Sequence, residues 1–279
     1  MDKEFDRIEF ENPSSEYRGA PFWAWNDVLD KDDLLWQIEQ LRLMGFGGFH
    51  MHSRTGLATE YLSDEFMDMV KACCDKAEEE NMLAWLYDED RWPSGAAGGL
   101  VTKDPQYRIN YLLFTPNSYE EEGGKTHVGD EQAKATRSGR GRLIGKYDIV
   151  LNDEGKLASY KKIDDENLAE GKVWYAYNES PHEAARYNGY TYVDTMNKAA
   201  IDKFIEITHE RYKECVGDMF GDTVPSIFTD EPQFTHKKTL PFAESEVDVT
   251  LPWTPDLEDT FKATYGKSLV DHIPELIWE

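Results

Sequence analysis

Through residues 21–90 short aromatic and apolar runs alternate with stretches of helical spacing, and that alternation is the strongest constraint on the fold. PFWAWND (21–27) is followed by LDKDDLLWQIEQLRLMGFGG, in which Leu34, Leu35, Ile38, Leu41 and Met44 recur at helical intervals and Gly45 marks the stop. GGFHMHS (47–53) reads as a second strand, and SDEFMDMVKACCDKAEEENM reads as a helix with Ser63 at its N-cap and acids in its first turn. LAWLYDED (83–90) is a third strand, entered directly from that helix. Helical periodicity resumes over 195–216 through Met196, Ala199, Ala200, Phe204, Ile207 and Tyr212, and VPSIFTDEP (224–232) supplies a fourth strand. TPDLEDTFKATYG (254–266) then reads as a helix with Thr254 as N-cap, Pro255 at its first position and Gly266 past its end. Strands joined by right-handed helical crossovers make a parallel α/β architecture, either a doubly wound sheet or a (β/α)8 barrel.

The rhythm breaks between about residue 104 and residue 190. There YRINYLLF, KYDIVLN and KVWYAYNE alternate as antiparallel strands do, around the Gly-rich, charge-mixed stretch of residues 121–146. The expected organisation is therefore 1–103 as the first part of a barrel, 104–190 as a β-rich insertion, and 191–279 as the barrel continued through a helix, a strand and a helix.

Fifty-five acids against 30 bases give a net charge of −25, which repels nucleic acid and anionic membrane surfaces. MDKEFDRIEF lacks the basic and apolar regions of a signal peptide, and no apolar run is long enough to span a bilayer, so the expected location is cytoplasmic. Cys73, Cys74 and Cys215 suit reduced thiols better than a disulfide frame. No GxGxxG or GxxxxGK[ST] follows any strand, which removes the usual dinucleotide or phosphate reason for a doubly wound sheet, and GAAGG (95–99) reads as a backbone-turning loop.

Each strand finishes on polar or aromatic chemistry: Trp25, Asn26 and Asp27; His50, His52 and Arg54; Asp88, Glu89 and Asp90; Asp230 and Glu231. A barrel would converge these ends on one pocket. Glu231 is the candidate proton donor of a glycosidase, a role that needs a carboxyl group set in the pocket; the bland alternative is a solvated acid pair before a turn. Asp230 projects to the other side of an extended chain, so the pair need not act together. Asp88 and Asp90 share one strand face, where they could bind sugar hydroxyls, hold calcium, or pair with Arg54 or Arg91. His50 and His52 also share a face, which suits a zinc ion or, alternatively, a hydrogen bond to substrate or to a neighbouring carboxylate. Trp23, Trp25, Trp85 and Trp92 could stack on sugar rings or lie in the core, and parity forbids all of them facing one pocket.

PFWAWND, GFGGFHMHSRTGL, WLYDEDRWPSGAAGG, YVDTMN and IFTDEP together resemble large bacterial glycoside hydrolases related to the α-L-rhamnosidase-type family, over residues 20–103 and 186–235. The resemblance implies a (β/α)8 catalytic domain, with Glu231 at the general-acid position. It places Asn26, His52, Asp88, Glu89 and Asp90 along the sugar subsite, joined in the strand-end set by Trp25, Arg54, Trp92 and Asp230. No cofactor is expected, although calcium serves some members of that branch. Such barrels take a second catalytic carboxylate from a later strand, so the chain is expected to be a partial barrel of about four β/α units. It would then be a fragment, or would pair with another copy to close its open edges, and would hydrolyse glycosides poorly by itself. Two other readings stand beside it: a non-catalytic carbohydrate-binding module, and a metal-dependent barrel hydrolase using His50 and His52.

Overall fold

A computed structural model describes residues 10–119 and 136–278. The polar leader up to residue 9 and the Gly-rich stretch from 121 to 135 lie outside the described residues. The chain divides into two compact units, the first from residues 10–101, 186–188 and 202–232 and the second from the rest.

The first unit begins with β1 (Phe22–Trp25), α1 (Lys31–Leu43), β2 (Gly48–Ser53), α2 (Asp64–Glu79) and β3 (Leu83–Tyr87). Asp30 caps α1 by accepting from the Asp33 amide, and Ser63 caps α2 by accepting from the Phe66 amide, as acids in both first turns favour. Gly45 follows α1 in the left-handed region at φ 89°, a conformation that costs glycine little. The chain then enters the second unit through β4 (Asn110–Thr115), β5 (Arg142–Leu151), β6 (Leu157–Ile163) and β7 (Lys172–Glu179).

Helix α3 (Lys198–Ile207) is followed by α4 (His209–Val216), and the chain regains the first sheet at β8 (Ile227–Phe228). The single helix expected over 195–216 is thus two. The break falls at Thr208, whose hydroxyl donates back to the Phe204 carbonyl at 2.6 Å. The first sheet has the order β1-β2-β3-β8 and every pairing in it is parallel. On one face of it Trp23 meets Phe49 and Trp25 meets Phe66 of α2 edge-on, while the Tyr212 hydroxyl of α4 donates to the Tyr87 carbonyl.

The second unit is built on an antiparallel sheet of order β6-β5-β7-β4-β9, where β9 is Val249–Trp253. YRINYLLF, KYDIVLN and KVWYAYNE supply β4, β5 and β7. Residues 233–278, expected to continue the parallel layer, belong to this second unit instead. VDVTLPW is an alternating segment whose Pro252 lacks an amide donor, and an edge strand tolerates that loss. Phe114, Tyr147, Trp174, Val249, Ile273 and Trp278 form the core of this unit, and Leu257 and Phe261 of α5 (Leu257–Tyr265) pack against it. Thr254 does not cap α5. Its hydroxyl donates to Asp194 at 2.7 Å, and the Leu257 amide bonds to the Thr254 carbonyl, so the helix starts two residues later than expected, at Leu257, and ends on left-handed Gly266. The protein is therefore a mixed α/β structure with one parallel and one antiparallel sheet. Among the described residues no helix is long and apolar enough to cross a membrane.

Candidate functional site

The candidate site lies in the first unit, at the strand ends of the parallel sheet. Successive side chains of a strand alternate faces, and here the faces differ in chemistry. Trp23, Trp25 and Phe49 form the layer that meets α2. Trp25 is 1% exposed, so it is a core residue and not a platform for a ligand. The opposite face carries Phe22, His50, His52, Trp85, Tyr87 and Phe228. His50 stacks on Trp85 at 4.9 Å and His52 stacks on Tyr87 at 3.8 Å.

Burial lowers the pKa of both imidazoles, and the nearby charge of Arg54 lowers that of His52 further. A neutral imidazole keeps one acceptor nitrogen, and the Nδ1 atoms of His50 and His52 are buried without a hydrogen-bond partner among the described residues. The shared face expected of the two histidines is present; among the described residues no three His, Cys, Asp or Glu side chains gather as a metal site would.

The acids after β3 point inward. Asp88 is fully buried and accepts from Ser94 and Thr229 hydroxyls, both at 2.6 Å, with His209 Nε2 at 3.1 Å. Glu89, 1% exposed, accepts from the backbone amides of Asp90, Gly95, Ala96, Ala97 and Gly98. Its carboxylate thereby organises GAAGG, whose residues Gly95, Ala97, Gly98 and Gly99 all have positive φ. Burial pushes the Glu89 carboxyl up to about 7 against the pull of those amides. Asp90, 4% exposed, pairs with Arg91 at 3.1 Å and meets the Asn188 amide.

These three side chains brace the loop instead of facing an opening, which differs from the sugar-subsite placement the resemblance implies. They also do not fit a calcium ion, since hydroxyls, amides and a guanidinium already engage their oxygens.

The acids after β8 are the accessible ones. Asp230 accepts from the Tyr87 hydroxyl at 3.2 Å, and its backbone is held by Ser94 through the Ser94 Oγ and amide, both at 2.8 Å. Burial and the Asp230 charge together raise the Tyr87 pKa strongly, so Tyr87 stays a hydrogen-bond donor. Glu231 turns the chain with φ 46°, uncommon for a residue with a side chain, and its Oε2 accepts from Trp92 Nε1 at 3.0 Å. The two acids thus face different partners, as an extended chain would also direct them. Glu231 is exposed, where a carboxyl group set in the pocket was expected.

Arg54, Thr55, Arg91, Trp92 and Arg186 line a cavity of about 210 Å³. Asn26 is exposed, and its carbonyl oxygen lies 2.6 Å from where a side-chain carbon on Gly56 would stand, which fits the loop after β2 closely to it. Trp92, Asp230, Glu231 and Arg54 therefore gather around the ends of β2, β3 and β8, while Trp25, His52, Asp88, Glu89 and Asp90 are buried behind them. Tyr87 and Arg186 were missed. The parity of LAWLY, which puts Tyr87 on the face of Trp85, could have found the first. Arg186 carries no such signal, because only the folded chain brings it to Trp92.

No family model matches the chain, and no curated protein matches it. Among solved structures it is similar to a rhamnosidase from Novosphingobium sp. PP1Y, at 12% sequence identity and a TM-score of 0.49, covering 96% of this chain and 42% of that one. The chain thus spans less than half the length of that rhamnosidase.

Proposed function

We propose that the first unit carries part of a glycoside hydrolase active site, set on part of a (β/α)8 barrel, with Glu231 as the proton donor to the leaving oxygen. The observation that carries this reading is the bond from Trp92 Nε1 to Glu231 Oε2 at 3.0 Å, at the strand ends where barrel enzymes build their sites. The bond engages Oε2 and leaves Oε1 open to the oxygen of a leaving group. The carboxylate of Asp230 is suited to sugar hydroxyls, and the strand order β1-β2-β3-β8 is that of consecutive barrel strands. Hydrolysis requires a second carboxylate. In this proposal the completed barrel supplies it, through further chain or a second copy.

Glu231→Gln in the complete enzyme tests the role. Turnover of natural glycosides is expected to fall by about a hundredfold or more, with a smaller loss on aryl glycosides whose leaving groups need no proton. Equal losses on both substrates would remove Glu231 from the acid role. A second reading, saccharide binding without hydrolysis, is favoured by the exposure of Glu231. Calorimetric binding of a saccharide that the complete chain never cleaves would select it.

A further inference from the structure

The cavity beside Glu231 is positively charged in a chain with 25 more acids than bases. Three arginines line it, Arg54, Arg91 and Arg186, and no carboxylate does. Arg91 is compensated from behind by Asp90 at 3.1 Å and is oriented by Asn188, which accepts from it at 2.9 Å. Arg186 lies over the Trp92 ring, its guanidinium carbon 4.9 Å from the centroid, and makes no ion pair among the described residues. Cation–π contact of this kind fixes a guanidinium without neutralising it. Arg54 likewise makes no ion pair among the described residues, and its charge is felt at His52. Arg54 and Arg186 thus converge on the cavity without a counter-ion of their own, and their repulsion becomes an attraction once an anion enters. Guanidinium forks are suited to a planar carboxylate or to the oxygens of a sulfate, both of which accept paired N–H donors.

We propose that this cavity is a subsite for an oxyanion carried on the saccharide, the carboxylate of a uronate or a sulfate ester, which narrows the substrate to an acidic glycan. The inference rests on the glycosidase reading for its choice of a sugar as carrier. Trp92 both lines the cavity and holds Glu231, so the charged sugar is one that adjoins the bond to be cleaved.

The test is calorimetry on the full chain carrying Glu231→Gln, which takes hydrolysis out of the measurement. The probes are digalacturonate, galactobiose as its carboxyl-reduced counterpart, galactobiose 6-sulfate, and sodium sulfate. At least one charged disaccharide is expected to bind about tenfold or more tightly than galactobiose, with a margin that shrinks as salt rises. Whichever charged probe binds better identifies the source of the oxyanion. Adding Arg54→Gln and Arg186→Gln together is expected to bring the margin to about one, and Arg186→Gln alone, a change at an exposed side chain, to reduce it.

Equal affinity for charged and neutral disaccharides, a margin that survives both substitutions, or no disaccharide binding at all would overturn the proposal. So would sodium sulfate binding as tightly as galactobiose 6-sulfate, which would mean an adventitious ion only. The two readings fail separately. Hydrolysis of neutral glycosides with no charge margin sinks the oxyanion subsite alone, and a charge margin in a complete enzyme that cleaves nothing sinks the glycosidase alone.

Discussion

The indole nitrogen of Trp92 donates to Oε2 of Glu231 at 3.0 Å, although 139 positions of sequence separate the two residues. That bond ties the loop after β3 to the end of β8, and it holds an acid whose backbone sits in the left-handed region. Such a conformation costs on the order of 1 kcal/mol and persists where its surroundings fix it. Trp92→Phe keeps a ring under Arg186 and removes only the donor. Turnover of a natural glycoside by the complete enzyme is expected to fall by about tenfold, and the thermal midpoint to move by less than about 2 °C. A large loss of midpoint with unchanged turnover would make the contact structural.

Glu89 makes the opposite case, a buried acid whose hydrogen bonds all go to the loop it builds. Glu89→Gln puts an amide NH2 among donors that need an acceptor, and leaves some of the amides from residue 90 to 98 unsatisfied. The expected cost is about 3 kcal/mol or more, measured by urea unfolding.

The same group carries a pH dependence. Its folded pKa of about 7 lies above the ordinary 4.5, so the folded state binds this proton more tightly than the unfolded chain does. Its contribution is therefore full below pH 4.5 and is lost as pH rises towards 7. Burial raises Glu179 to about 7 as well, so both proteins lose stability over this window, and wild type is expected to lose more of it than Glu89→Gln.

What could be read from the sequence was the local grammar. Asp64 and Glu65 behind Ser63, and Gly45 after Met44, are signals confined to a few neighbouring residues, and the folded chain uses them as they stand. The common face of His50 and His52 followed from strand parity for the same reason. What could not be read was which of several acids would be covered. Asp88, Glu89 and Asp90 look as available as Asp230 and Glu231 until Ser94, Thr229, His209 and the GAAGG amides close on them, and those contacts join residues that strand parity does not relate. Thr254 misled in a similar way, because a distant acid, Asp194, takes the hydroxyl that local rules assign to the helix end. Strand β9 went unseen since Pro252 argues against a strand except at a sheet edge, and edges are a property of the assembled sheet.

His52 should make the protein sensitive to acid. Burial and Arg54 depress its folded pKa below the ordinary 6.5, so between those two values the unfolded chain binds a proton that the folded state refuses. Its contribution to stability is present above pH 6.5 and is lost as pH falls through the depressed value, opposite in sign to that of Glu89. Comparing urea midpoints of wild type and His52→Gln over this range isolates the effect. The wild-type curve is expected to decline on acidification more steeply than the variant's, and parallel curves would place the imidazole in water.

Gly48, at the start of β2, tests whether the sheet that presents these residues depends on close backbone approach. A side-chain carbon added there would stand 2.2 Å from the Leu83 carbonyl oxygen and 2.5 Å from the Trp85 ring, and the first of these is backbone of the neighbouring strand that cannot swing aside. The strands must separate, which disturbs the ladder where Gly48 pairs with Leu83 and His50 with Trp85. Gly48→Ala is expected to destabilise the chain by about 2 kcal/mol or more, at the upper end of what overpacking costs. Because Trp85 is the ring on which His50 stacks, the same substitution should also alter the near-ultraviolet circular dichroism of the folded state. A variant that keeps both its urea midpoint and that spectrum would mean β2 and β3 are not held at this distance.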